Sequence, residues 1–215
     1  MEIRGIAREQ LGYYTARQIE NLFPLSPEGT REVLEFYVDE ALLRLRACID
    51  SVKMWRAGVF DVHHSSQYCS YLYLLSRVIW ISTGQREIPT LLFLLNKALN
   101  SIDLFYEIEL PKHFLIGHSV GIVLAKAVYG DYLVLYQNST VGRSHIKAPS
   151  LGEGVILYPN TAVIGDCIVG ANTTLAQGAS LIDQGSPGDC VVFRGQRAAV
   201  IRPSSRRYID DYFRL

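Results

Sequence analysis

The sequence has no excess of either charge: 21 Lys and Arg stand against 21 Asp and Glu, with no basic run. A chain without a basic stripe lacks the electrostatic footprint of a nucleic-acid binder. Long apolar runs are missing too. Tyr71 to Ser82 and Leu91 to Leu95 are the longest, well short of the roughly 20 residues a membrane span needs. No apolar h-region follows Met1-Glu2-Ile3-Arg4, so no signal peptide is expected. Cysteine is scarce. Cys48, Cys69, Cys167 and Cys190 lie far apart and form no C-x-x-C pair, which argues against a disulfide framework and a zinc site. What remains is an ordinary globular composition, 49% apolar and 20% charged over 215 residues. The expectation is a cytoplasmic protein of one large or two small domains, without a metal.

The first hundred residues have helical periodicity. Ser26-Pro27-Glu28 reads as a helix start, with Ser as N-cap, Pro at the first helical position and an acid in the first turn. Val33, Leu34, Tyr37, Val38, Ala41, Leu42 and Leu45 then recur at spacings of three and four. Ala47 to Met54 continues that helix. A second is expected from about Ser66 to Ile81, before Thr83-Gly84, apolar enough to be buried on most sides; a third fits Pro89 to Asn100.

Beyond Asn100 the period becomes six. Leu104, Leu110, Ile116, Ile122, Val128 and Val134 lie on one grid, and Leu151, Leu157, Val163, Val169, Leu175 and Leu181 resume it after a break at 141–150. A helix cannot bury every sixth residue on one face, and a plain strand alternates every second residue. A fixed six-residue repeat predicts a parallel β-helix whose rungs close triangular coils, here over residues 104–186. The fifth residue of each rung sits at a crowded inner corner and should be small. Val155, Thr161, Cys167, Thr173 and Ala179 satisfy this, whereas Lys126, Tyr132 and Asn138 in the earlier run do not.

Within this grid, Gly117-His118-Ser119-Val120-Gly121-Ile122-Val123 resembles the D-H-A-T-G-I-V of the serine O-acetyltransferases, members of the left-handed β-helix acyltransferase superfamily. Leu135 to Gly142 is similar to that family's I-L-Q-S-V-T-L-G, and Gly154 to Ile182 matches its closing coils, down to Gly165, Gly170 and Gly178. The resemblance covers roughly residues 100–202. It implies an α+β chain: an N-terminal α-helical domain (1–100), a C-terminal left-handed parallel β-helix of hexapeptide repeats (101–202) and a tail (203–215). It also implies a homotrimer, acetyl-CoA bound between neighbouring coils, and acetyl transfer to a small-molecule hydroxyl. Cyclic association would cover the flat sides of the prism and create three equal clefts.

His118 is the candidate general base, since an alcohol needs a base near neutral pKa within hydrogen-bond reach to attack a thioester. A carboxylate on its other nitrogen would fix the tautomer. The resemblance puts it fifteen residues earlier, at Asp103, with Glu107 and Glu109 as competitors and as acceptor-binding candidates. The family's second histidine, in R-H-P, has no direct counterpart: Ala148 precedes Pro149, and His145 is the nearest imidazole. Gly117 replaces the family's aspartate next to the base. That change removes a partner for the ammonium of serine and suits a neutral hydroxylated acceptor such as a sugar.

For acetyl-CoA, Pro159 and Gln177 are eighteen residues apart and should stack on one edge, as should Gly142. Arg194, Arg197 and Arg202 are candidates for its phosphates. His63-His64 reads as a loop entering the second helix, and the tail from Arg206 to Phe213 as an amphipathic segment docking on the prism. Three functions stay open: serine O-acetyltransferase-like acetyl transfer, the same chemistry on a sugar or polysaccharide, and a non-catalytic β-helix scaffold.

Overall fold

The structure, a computed structural model, describes residues 1–24, 26–145 and 147–215. Four helices come first: α1 (Leu11–Leu22), α2 (Thr30–Ser51), α3 (Ser65–Thr83) and α4 (Glu87–Asn100). The sequence reading missed α1, because its buried face is built partly from the small residues Gly12, Thr15 and Ala16. At Gly12 an added Cβ would lie 2.6 Å from the Cγ of Glu35, so α1 packs closely on α2. Helix α2 starts three residues after Pro27. Gly29 takes a φ of 76°, outside the helical region, and Thr30 instead donates its hydroxyl to the Pro27 carbonyl at 2.6 Å. A short parallel pair, β1 (Glu2–Arg4) with β2 (Val59–Asp61), was also unforeseen.

As expected, α3 is buried on nearly every side, from Ser66 to Ile79. It ends at Gly84, whose left-handed φ of 69° lets its N–H reach the Trp80 carbonyl. Its polar groups serve the junction with the β-helix. The Tyr73 hydroxyl donates to the Ile108 carbonyl at 2.7 Å and accepts the Leu110 N–H at 3.0 Å. Burial pushes the Tyr73 phenol up to about 12. Arg77 donates to the carbonyls of Tyr106 and Ile108. Helices and coils share one continuous apolar core, from Leu11 through Leu75 and Ile116 to Val192.

From Asp103 the backbone winds into a parallel β-helix with three flat faces. Face 1 holds Phe114–Ile116, Leu133–Leu135, Ile156–Leu157, Thr173–Leu175 and Cys190–Phe193. Face 2 holds Asp103–Leu104, Val123–Leu124, Thr140–Gly142, Ala162–Ile164 and Ser180–Ile182. Face 3 holds Val128–Tyr129, Ser150–Leu151 and Ile168–Val169. Val200–Pro203 then returns antiparallel along Cys190–Phe193.

The later run keeps the predicted register: Leu151 pairs with Val169, Leu157 with Leu175 and Val163 with Leu181, each eighteen residues on. Its five corner residues are all buried. The earlier run slips. Ile116 pairs with Leu135, and Leu124 with both Leu104 and Val141, so these coils depart from eighteen residues. The turn at 117–121 widens the corner, after which the inward positions are Tyr129, Leu135 and Val141. Val128, a grid residue, is 64% exposed. The corner positions shift by one to Ala127, Leu133 and Ser139, which removes the misfit of Lys126, Tyr132 and Asn138.

Face 1 is buried on both sides. Its outward residues Leu115, Val134, Ile156 and Thr174 are covered as fully as its inward ones. This explains strands that read as continuous apolar runs instead of alternating. Part of the cover is the C-terminal segment, as the tail reading anticipated: a 3-10 turn at Tyr208–Asp211 buries Ile209 over Gly154, and Phe213 meets Tyr132 at 5.3 Å.

Leu157 lies inside the prism at 0% exposure. Leu157→Ala should cost about 2–5 kcal/mol by chemical denaturation, the range for a large-to-small core change. A loss within about 0.5 kcal/mol, as at an ordinary surface site, would contradict the inward register.

Candidate active site

His118 sits in the turn between faces 1 and 2, on the edge of a cavity of about 520 Å³. The prism contributes Leu115, Gly117, His118 and Tyr136; the helical part contributes Met54, Trp55, His63, His64, Ser65 and Ser66. The two sides meet through the Ser66 hydroxyl, which donates to the Gly117 carbonyl at 2.9 Å. The His64 ring stands edge-on to Trp55 at 5.6 Å. Among the described residues, no Asp, Glu, Lys or Arg lines this space.

The His118 imidazole makes no hydrogen bond with another described residue; its ring neighbour is Tyr136, at 6.1 Å. Asp103 lies on the strand paired with Val123, just past the His118 turn. Its carboxylate binds Lys97 at 2.7 Å and forms no hydrogen bond to His118. Glu107 is held by Lys126 and Arg86, and the Lys126 ammonium keeps its carboxyl below the usual range. Glu109 pairs with Arg77 at 3.3 Å beside a different cleft, between α2, α3 and residues 109–114. Neither glutamate reaches the His118 cavity. His145 is exposed at the tip of a tight turn closed by Ser144 and Lys147, and it too is outside that cavity. Among the described residues, the structure does show an imidazole–carboxylate pair that the sequence reading overlooked. Asp131 accepts from both the backbone N–H and Nδ1 of His113, each at 2.8 Å, and so ties one coil to the next. Among the described residues, no group of three or more His, Cys, Asp or Glu is placed to hold a metal ion.

Gly117 and Tyr136 form a complementary pair. A Cβ added at Gly117 would lie 2.8 Å from Cε1 of Tyr136, so the ring occupies the space a side chain there would need. Tyr136 stacks on Tyr158 at 5.5 Å. The sequence carried a signal for this: Gly117 departs from an aspartate and Tyr136 from a leucine in the two resembled motifs, and the departures touch.

The coil register extends the site along one edge. Ile116, Leu135, Leu157, Leu175 and Val192 are consecutive partners on face 1. Two residues beyond each come His118, Gln137, Pro159, Gln177 and Arg194, which therefore follow one another down the corner. The bonds from Asn160 N–H to the Gln137 carbonyl and from Gly178 N–H to the Pro159 carbonyl hold this stack. Asn138 and Asn160, at φ values of 58° and 60°, supply the left-handed corner conformation and bond to each other at 3.1 Å. Four inter-strand steps of about 4.8 Å span about 19 Å from His118 to Arg194. There a second cavity, about 340 Å³, is lined by Arg194, Arg197, Gly178 and Gln184. Neither arginine makes a hydrogen bond or ion pair with a described residue. Pro159 and Gln177 thus share an edge as expected, but Gly142 does not. It pairs with Ile164 at the far end of face 2, because the strand from Thr140 separates it from the corner. Arg202 lies over the Phe193 ring on the returning strand.

Gly117→Asp should destabilise the protein by about 1–3 kcal/mol, as overpacking does. Adding Tyr136→Leu should recover most of that loss. Additive losses in a denaturation double-mutant cycle would show that the two positions are not coupled.

No family model matches the sequence, and neither does any curated protein sequence. Solved structures do match. Serine acetyltransferase from Neisseria gonorrhoeae superposes with a TM-score of 0.73 at 14% identity, over 96% of this chain and 84% of that one. The Vibrio cholerae O1 biovar El Tor serine acetyltransferase gives 0.70 at 19% identity, over 93% and 81%. A serine acetyltransferase in complex with CoA gives 0.69 at 16% identity, over 89% and 83%. At these identities the shared property is the fold: four helices leading into a β-helix.

Proposed function

We propose that this protein is an acetyl-CoA-dependent O-acetyltransferase with His118 as general base. The observation that carries the reading is the corner stack, with the His118 imidazole on a cavity at one end and, at the other, two arginines without a partner among the described residues on a polar cavity. The fold likeness to a serine acetyltransferase in complex with CoA supports it. Arg194 and Arg197 would hold the CoA phosphates, a task suited to guanidinium groups, and Gln137, Pro159 and Gln177 would flank its extended arm. Bound acetyl-CoA supplies an acetyl thioester. His118 withdraws the proton from the acceptor hydroxyl as its oxygen attacks, and returns that proton to the departing sulfur. Asp103 is the proposed orienting carboxylate, reached once it exchanges Lys97 for the imidazole. Four free, buried cysteines suit a reducing compartment and support a cytoplasmic location.

One observation favours a neutral acceptor over serine itself. The cavity carries imidazoles, aromatic rings and hydroxyls but no fixed charge, and Tyr136 fills the place of an acceptor-side carboxylate. The ammonium and carboxylate of serine would enter it without charged partners, which is costly. A sugar hydroxyl meets no such penalty.

A homotrimer is proposed for the assembly. Faces 2 and 3 present exposed Val123, Val128, Ile168 and Ile182, while face 1 is already covered. Exposed apolar stripes of this kind mark association surfaces. Light scattering should give three times the 24.1 kDa chain mass, or a multiple of that. A clean monomer at micromolar concentration would refute it.

His118→Ala should lower thiol release from acetyl-CoA by about 10²–10⁴, the range for a lost general base. Acetyl-CoA affinity by calorimetry should stay the same. Near-wild-type turnover would assign the base elsewhere. Across a panel of L-serine and sugars, kcat/KM for serine should fall below that for the best sugar by about 10²–10⁴, the loss of two charged contacts at about tenfold per 1.4 kcal/mol. Serine equal to or above every sugar would restore it as the acceptor.

A further inference from the structure

We infer that Tyr212 and Arg214 are positioning residues for the acceptor site, acting as a strap that holds both walls of the His118 cavity. The inference rests on reading that cavity as the acceptor site. On the prism side, the Tyr212 hydroxyl donates to the Tyr158 hydroxyl at 2.9 Å, and the Tyr136 hydroxyl donates to Tyr212 at 3.4 Å. Tyr212 also meets the Tyr136 ring edge-on at 6.2 Å. It thereby fixes the ring that packs on Gly117 and faces His118.

On the helical side the same segment grips the end of α2. The Tyr212 carbonyl accepts the Lys53 N–H at 2.7 Å, and Arg214 donates its own N–H to the Ser51 carbonyl at 2.7 Å. The Arg214 guanidinium reaches four further carbonyls, those of Asp50, Val52, Lys53 and Trp55, the last at 2.8 Å. These include carbonyls left without intrahelical partners at the helix end, which attract a cation. The gripped residues run directly into Met54 and Trp55, which line the cavity. One short segment therefore sets where Tyr136 stands and where Trp55 stands, and so the width between them. Ile209 and Phe213 supply the apolar anchoring of the segment, so the Tyr212 hydroxyl and the Arg214 guanidinium are not needed for that task.

The test uses the full chain in a Trp80→Phe background, which leaves Trp55 as its lone tryptophan. Tyr212→Phe removes the hydroxyl pairs and keeps the ring; Arg214→Ala removes the grip on α2. Circular dichroism and light scattering first confirm that each variant is folded and assembled like its parent. Two readouts follow: acrylamide quenching of Trp55, now 8% exposed, and steady-state kinetics with L-serine and methyl α-D-glucoside as acceptors. Both variants should raise Trp55 quenching and raise KM about tenfold for the acceptor that is used, equivalent to about 1.4 kcal/mol, with KM for acetyl-CoA unchanged. Unchanged quenching and unchanged acceptor KM in folded variants would overturn the strap and leave the acetyltransferase reading standing. Increased quenching with an unchanged acceptor KM would mean that the cavity is not the acceptor site, which overturns both the placement and the inference.

Discussion

The coil-to-coil hydrogen-bond register is the constraint on which the molecule depends. Each strand of face 1 bonds to the next at a fixed offset, so a residue two places past one strand must lie beside its counterpart in the next coil. That geometry, and no direct side-chain contact, puts His118 at one end of a straight edge and Arg194 at the other. Slipping one coil by a residue would turn its inward side chains outward and break the edge at the same time. The same ladder therefore maintains the core and aligns the site.

A prism of this kind has three faces to satisfy, and this chain treats them differently. Face 1 is sealed by the helices and by the C-terminal segment, with Val134 and Ile156 fully buried. That seal gives the cavity its two unlike walls: rigid coil on one side, helix ends on the other. Phe213 belongs to the seal, and Tyr212 and Arg214 beside it bond to Tyr136 and Trp55, which line the cavity. Covering face 1 and shaping the space in front of His118 are consequently one structural task. Faces 2 and 3 keep apolar side chains in solvent, the surfaces on which the proposed trimer rests.

Much of this was legible in the residues because the six-residue period is strict where coils are regular. From Leu151 to Leu181 every grid residue falls inside and every fifth residue is a buried corner. Legibility failed where geometry departs from the repeat. The wide turn at 117–121 shifted the inward positions to Tyr129 and Leu135, and Lys126, Tyr132 and Asn138 were the visible symptom. Helix α1 was hidden because Gly12, Thr15 and Ala16 make up much of its buried face, leaving Leu11 and Ile19 too few to show a period. In the site, Pro159 and Gln177 could be placed by counting along coils, and His118 by its motif. Trp55 and Ser66 could not, since they reach the cavity across the helix–prism boundary, and Tyr212 could not, since it meets Tyr136 and Tyr158 over separations no local spacing encodes. Asp103 shows the complementary difficulty: counting finds its position, but its choice of Lys97 over His118 depends on side chains from α4.

The central claim is that the corner stack is an acyl-donor track ending at His118. The most direct measurement is a crystal structure of the protein with CoA bound. The account predicts the phosphates against Arg194 and Arg197, the extended arm along Gln177, Pro159 and Gln137, and the thiol within reach of the His118 imidazole. CoA bound away from this edge, or with its thiol remote from His118, would contradict it.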